Sequence, residues 1–310
     1  MKSNQSNIKK AKKYLDNNHC IAVPTETVYG LAGNAYSSTS IKKIFKLKKR
    51  PTNNPLIVHY YNVNRLKKDC YINDNFIKLY NKFSPGPITF ILKLKNESKI
   101  SRLVTNRQRS LAVRFPKHPL FRKLLKDLNY PLAAPSANIS NRLSSVQVSD
   151  VLDEFGSNIK YVLDGGRCKI GVESTIINLL GKPMILRLGG LDNKKIEKVL
   201  KKKIPIKLKL KKKIAPGQFF LHYSPGIPLR INVKIPKYNE AFVLIKKRKV
   251  NFKNYYYLSK KNDLNQSAKN LYPLLRKIKK DGYKMIAVEK IQNKGIGKTI
   301  NDRLFKASNF

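Results

Sequence analysis

Strand-length apolar runs alternate with helix-spaced apolar residues through the first two-thirds of this chain. That alternation constrains its fold more than any other feature. Ile8, Ala11 and Leu15 recur at helical spacing, followed by an apolar run at 20–23 that Pro24 stops. Ile41, Ile44 and Phe45 mark the next helix face, with Ser38 or Thr39 able to cap its start. Strands are predicted at 56–59, 89–94, 111–115, 161–163, 175–179 and 184–188, and helices around Phe76, Leu79, Tyr80 and Phe83 and over 119–128. The class is α/β. Residues 201–213 then hold eight lysines in thirteen positions, the composition of a solvated, mobile connector. Beyond it, strands at 241–245 and 285–288 flank a helix around 271–278, a small α/β unit. The expected organisation is a main domain at 1–200, a basic linker at 201–232 and a second domain at 233–310.

Composition narrows the setting without naming a function. No apolar run approaches the roughly 18 residues of a membrane span, and the first 13 residues lack the apolar stretch of a secretory leader. Cys20, Cys70 and Cys168 have neither metal-ligand nor disulfide-framework spacing. A cytoplasmic location and no membrane partner are therefore expected. Lys and Arg number 65 against 18 Asp and Glu, a formal net charge of +47. Phosphate neutralisation in nucleic-acid binding is one source of such a bias. A/T-rich coding, which favours Lys, Asn, Ile and Tyr together, is the other, and the even spread of lysine along the chain favours it.

Several segments bring polar or small residues to strand ends, where open α/β sheets receive ligands. PTETVYGL (24–31) follows the first strand directly; Thr25 and Thr27 offer hydroxyls, and Gly30 and Gly33 permit tight backbone, an ordinary turn being the alternative. Lys46, Lys48, Lys49 and Arg50 end a helix before TNNP, a cationic cluster suited to polyphosphate or to a solvated surface. His59, in an apolar strand, taken singly reads as a hydrogen-bonded core histidine. Arg114 lies inside the apolar run LAVRF, where a buried guanidinium needs an anionic partner; with acids so scarce, a ligand carboxylate or phosphate is expected to supply it. APSANIS (134–140) and GVEST (171–175) carry small and hydroxyl residues that let backbone approach an anion. No GxxxxGK[ST] or GxGxxG fingerprint and no nucleophile triad is present. The residues describe an anion-receiving site without a covalent nucleophile.

In sequence order, PTETVYGL, KKRPTNNPLIVH, SPGPITFIL, LAVRFPKHP, APSANIS, LDGG and GVESTI resemble the YrdC-like threonylcarbamoyl-AMP synthase family. APGQFFLHYSP and GIGKTINDRL extend the likeness to the long form of that family. The resemblance implies an open twisted mixed sheet with helices around a concave basic cleft, plus a small Rossmann-like C-terminal domain. It implies a nucleotidyltransferase joining L-threonine, bicarbonate and ATP into threonylcarbamoyl-adenylate and pyrophosphate, for threonylcarbamoyladenosine modification of tRNA. By motif position, threonine would contact Thr27, His59, Arg114, Ala134 and Ser174. ATP would contact Lys48, Arg50, Asn54, Ser110, Ser136, Ser144, Arg187 and, from the linker, His222 or Tyr223. Mg²⁺ is expected with ATP and without a protein cage, and a threonylcarbamoyl transferase complex as downstream partner. Asn141 stands where the family usually has glycine, and Ser144-Ser145-Val146 where it has Ser-Pro-Thr. The aromatic stretch 218–223 is expected to close over the cleft as a lid. The alternative reading is a non-catalytic RNA-binding protein on the same fold, with loose, non-specific RNA binding through its charge.

Overall fold

The fold was analysed in a computed structural model, which describes residues 2–208, 222–250 and 252–308. Helices α1 (Lys2–Asp16), α2 (Ser38–Lys48), α3 (Val63–Leu66), α4 (Asp74–Phe83), α5 (Pro119–Asp127), α6 (Val148–Phe155) and α7 (Asn193–Leu200) surround the first sheet. Its strands are β1 (Ile21–Val23), β2 (Gly30–Asn34), β3 (Ile57–His59), β4 (Ile88–Lys93), β5 (Ser110–Arg114), β6 (Leu132–Ala133), β7 (Thr175–Asn178) and β8 (Met184–Arg187). They lie in the order β1-β2-β6-β3-β5-β4-β7-β8. The β3/β5 and β4/β7 pairs are parallel and the others antiparallel, so the sheet is mixed.

The strands read as unbroken apolar runs because both faces are covered. On one side, Ile8, Ala11 and Leu15 of α1 close over Phe121, Leu124 and Leu125 of α5. On the other, Phe76 of α4 meets Phe90 edge-on at 4.9 Å and stacks on Tyr80 at 5.5 Å, with Phe115 beside both. Register does the work that matters for the site. In the β3/β5 ladder His59 stands opposite Arg114, and in β4/β5 Thr89 stands opposite Arg114. Three polar residues thus gather at adjoining strand ends.

Helix α2 starts one residue earlier than expected, with the Ser37 hydroxyl accepting from the Ser40 amide at 3.2 Å. It ends at Lys49, whose φ of 49° turns the chain so that the Arg50 amide bonds the Phe45 carbonyl at 3.0 Å. Three further expectations change. The glycines of 30–33 sit within β2 rather than a turn: Gly33 lies so close to α2 that a Cβ would come 2.5 Å from the Ser40 hydroxyl. Segment 161–163 contributes one bridge, Ala22 to Val162, and no strand. The start of the lysine-rich run is held: Ile204 is buried, and the Lys207 amide bonds the Ile185 carbonyl at 2.9 Å. Apolar side chains between the lysines decide this. Residues 209–213 of that run lie outside the described residues.

The second sheet is parallel throughout, with β9 (Leu229–Arg230), β10 (Glu240–Leu244), β11 (Tyr255–Tyr257) and β12 (Met285–Val288) in the order β11-β10-β12-β9. Strand β9 lies within the span read as linker. Helices α8 (Leu264–Lys280) and α9 (Gly297–Ala307) complete this domain. No helix among the described residues is long and apolar enough to cross a membrane.

Phe76→Ala would empty a fully buried ring site bounded by three other rings, so about 3–5 kcal/mol of stability should be lost. A urea midpoint within error of the parent chain would show that α4 does not anchor the sheet.

Candidate active site

A narrow cleft opens where β1, β3, β5 and β8 end, lined by three guanidiniums, those of Arg50, Arg114 and Arg187. All three are nearly buried. Arg114 Nη2 donates to Glu26 Oε1 and to Thr27 Oγ1, both at 2.8 Å. This corrects the expectation from the sequence: a protein carboxylate, Glu26, supplies the anion, and its Oε2 also accepts the Lys117 amide at 2.9 Å. Burial alone would raise the Glu26 carboxyl, but Arg114 and the amide hold it below its ordinary value. Arg114 Nε has no partner.

Arg50 and Arg187 are held by neutral acceptors instead. Arg50 donates to the carbonyls of Asn54 (3.1 Å) and Pro55 (3.0 Å). Arg187 donates to the Ser174 carbonyl and hydroxyl, both at 3.1 Å, and the same hydroxyl lies 2.7 Å from that of Thr89. Burial lowers the pKa of both guanidiniums, Arg50 to about 9 with Arg187 as the next cause, and both remain cationic at neutral pH. The cation cluster at the end of α2 divides. Lys48 turns inward onto the carbonyls of Ser136 (2.6 Å) and Asn138 (2.5 Å), Arg50 enters the cleft, and Lys46 and Lys49 face solvent. Burial, with Arg50 next, pushes the Lys48 ammonium well below its ordinary pKa.

His59, Ala134, Ser136, His222 and Tyr223 also line the cleft. Burial pushes both histidines well below the usual imidazole range, so each is neutral at pH 7. His59 Nδ1, His222 Nδ1, Tyr223 Oη and Asn54 Oδ1 are buried without partners. Buried polar atoms are almost always hydrogen-bonded; four such atoms lining one cleft, on His59, Arg114, His222 and Tyr223, mark a surface shaped for a polar ligand. Thr27 and Ser174 stand one layer behind, bonded to Arg114 and Arg187. Ser144 donates to Glu173 Oε1 at 2.6 Å and is fully buried. Ser110 begins β5, about 13 Å along the strand from Arg114, and does not line the cleft. Of the expected lid, 218–221 lies outside the described residues.

Thr25, one of the two hydroxyls noted after the first strand, also lines the cleft, as do Glu173 and Tyr29, which were not singled out individually from sequence. Glu173 accepts from Arg303 Nε at 2.8 Å and from Tyr272 Oη at 3.1 Å, both from the second domain. Burial would raise its carboxyl, but the Arg303 and Arg187 charges and the hydrogen bonds from Ser144 and Arg303 bring it down to about 2. Cys20 and Cys168 are buried thiols pushed up to about 12, which suits neither for nucleophilic attack at neutral pH. A wider groove beside β11 and α8 is lined by Tyr256, Tyr283, Lys253 and Lys277. It is open to solvent and contains none of the unpartnered buried atoms, so the narrow cleft is the stronger site.

A family profile described as "Telomere recombination", covering Sua5, YciO and YrdC proteins, matches residues 13–189. A second, described as "Threonylcarbamoyl-AMP synthase, C-terminal domain", matches 191–309. Threonylcarbamoyl-AMP synthase of Pyrococcus abyssi is 33% identical over 98% of this chain and 94% of its own length. That of Bacillus subtilis is 33% identical over 99% and 94%. The crystal structure of P. abyssi Sua5 complexed with L-threonine superposes with a TM-score of 0.89 at 33% identity, covering 97% of this chain and 94% of that one. With both domains matched in order and the motif residues gathered in one cleft, the chain belongs to the YrdC-like threonylcarbamoyl-AMP synthase family in its long form, a family of enzymes.

Proposed function

We propose that this chain is an L-threonylcarbamoyladenylate synthase, a nucleotidyltransferase that makes threonylcarbamoyl-AMP and pyrophosphate from L-threonine, bicarbonate and ATP. The observation that carries this reading is the convergence of Arg50, Arg114 and Arg187, nearly buried, on one cleft with unpartnered polar atoms around them. Threonine amine and bicarbonate combine to a carbamate with loss of water. A carbamate oxygen then attacks the α-phosphorus, and the bond to the β-phosphate breaks as pyrophosphate leaves. Such a transfer depends on positioning and charge neutralisation, which this cleft supplies.

In this assignment Arg114, fixed on Glu26 and Thr27, presents its free Nε edge to the threonine carboxylate, beside His59, Ala134 and Ser174. Neutral His59 offers a hydrogen bond without adding charge. Arg50 and Arg187 face the phosphates, with Ser136, His222 and Tyr223 around the nucleotide. Lys48, Asn54 and Ser144 are assigned to the same side by motif position, as is Ser110, although it does not line the cleft. Of these, Lys48 and Ser144 act by holding Ser136 and Glu173 in place. Mg²⁺ arriving with ATP would be bound by phosphate oxygens and water, since both cleft carboxylates, Glu26 and Glu173, are already engaged by arginine. When bound, the ion neutralises triphosphate charge. His222 and Tyr223, which line the cleft, would help exclude water from the labile carbamate and anhydride. The product serves threonylcarbamoyladenosine formation on tRNA through a downstream transferase complex, in the cytoplasm. A protein that only binds RNA would not need guanidiniums sunk where a polymer backbone does not reach. Loose, salt-sensitive RNA association remains an expected by-product of the +47 charge.

Pyrophosphate release from ATP should require both L-threonine and bicarbonate. Equal release with threonine omitted would identify a plain ATPase. Arg114→Ala, made together with Glu26→Gln so that no buried carboxylate is left unpaired, should weaken threonine binding about tenfold or more, with ATP-analogue binding near the parent value. Arg50→Ala should do the reverse. Calorimetry that found equal losses for both ligands in both variants would contradict the assignment.

A further inference from the structure

The second domain reaches the cleft through two side chains. Arg303 of α9 is almost fully buried; its Nε donates to Glu173 Oε2 at 2.8 Å, its Nη2 to the Leu188 carbonyl at 2.8 Å, and its Nη1 to Asp302. Its guanidinium also lies over the Tyr223 ring, 4.7 Å from the centroid. Tyr272 of α8 donates to both Glu173 oxygens at 3.1 Å and stacks on Tyr223 from 5.9 Å at 15°. Tyr223, at φ 65°, is thus held by Arg303 and Tyr272, in a backbone conformation that costs a non-glycine residue energy unless its surroundings impose it.

The backbone beside Arg187 is gripped from the same helix. Thr299 donates to the Gly189 carbonyl at 3.0 Å. Gly189 packs so tightly that a Cβ would lie 2.3 Å from the Ser174 carbonyl carbon and the Thr175 nitrogen. A purely adhesive contact would not converge on a cleft-lining carboxylate, a buried ring that lines the cleft and the strand end that carries Arg187. Elsewhere the two domains meet through such an adhesive contact. Arg276 of α8 bonds Glu154 (2.9 Å) and the Leu143 carbonyl (2.6 Å), and none of the three lines the cleft.

We propose that Arg303, seconded by Tyr272, is a positioning residue of the active site: it fixes Glu173, Tyr223 and the 187–189 backbone, so that the second domain sets the nucleotide half of the cleft. The proposal rests on the synthase reading. Neither residue bonds Arg114, His59 or Thr27, so they reach the threonine half only indirectly, through Ser174 beside Glu173.

The test uses the full chain and compares Arg303→Met, Tyr272→Phe and Arg276→Met by pyrophosphate release, with threonine binding by calorimetry and a thermal melt of each. Arg303→Met should raise the ATP KM about tenfold or more with threonine affinity within about twofold of the parent. Arg303→Lys should recover part of that loss, because charge returns without the planar stack. Tyr272→Phe, which keeps the ring and deletes one hydroxyl, should move the ATP KM about threefold in the same direction and decides the matter if Arg303→Met fails to fold. Arg276→Met should lower the melting temperature without moving either ligand constant. Parent-like ATP KM in folded Arg303→Met, or in Tyr272→Phe where Arg303→Met does not fold, would overturn the proposal, as would equal effects of Arg303→Met and Arg276→Met. A parent chain that releases no threonine-dependent pyrophosphate would instead overturn the synthase reading.

Discussion

Burying positive charge is the constraint around which this site is built. Arg50, Arg114, Arg187, Arg303 and Lys48 are each nine-tenths or more removed from solvent. An uncompensated buried ion costs several kcal/mol, so each cation must be met. Glu26 meets Arg114, and Glu173 with Asp302 meets Arg303. The other three are hydrogen-bonded by carbonyls and a hydroxyl, with Glu173 also near enough to Arg187 to feel its charge. Dipoles compensate a charge incompletely. The cleft therefore carries an excess of positive charge that an anionic ligand would balance, and the fold sustains that imbalance on the rigidity of its sheet.

Rigidity comes from register. His59 and Arg114 occupy paired positions on β3 and β5, Thr89 pairs Arg114 from β4, and Ile176 of β7 pairs Arg187 of β8. Side chains borne on strands of a packed sheet, central for His59, Thr89 and Arg114 and at the β8 edge for Arg187, hold position better than the same groups on loops. The loops then bring what strands do not supply: Glu26 after β1, Ser136 after β6 and the His222-Tyr223 pair from the linker.

Periodicity made much of this legible. Buried strands and amphipathic helices announce themselves locally, which is why β1, β3, β5, β7 and β8 fall where apolar runs predicted them. Glycine-rich β2 lacks that signal, because Gly30 and Gly33 are there for close packing and have no side chain to alternate. The partner of Arg114 was misjudged for a related reason. Glu26 stands 88 positions away, and counting acids says nothing about which one the fold delivers. Arg303 lies 130 positions from Glu173. The motifs GVESTI and GIGKTINDRL were both visible in the sequence, but only the docked second domain shows that they form one network.

The central claim is that the nearly buried guanidiniums of one narrow cleft receive the anionic groups of both substrates. A crystal structure of the full chain with L-threonine and a non-hydrolysable ATP analogue tests it most directly. The account predicts the threonine carboxylate on Arg114 and the phosphates facing Arg50 and Arg187. The nucleotide lodged in the open groove between β11 and α8, with no phosphate near either arginine, would contradict it.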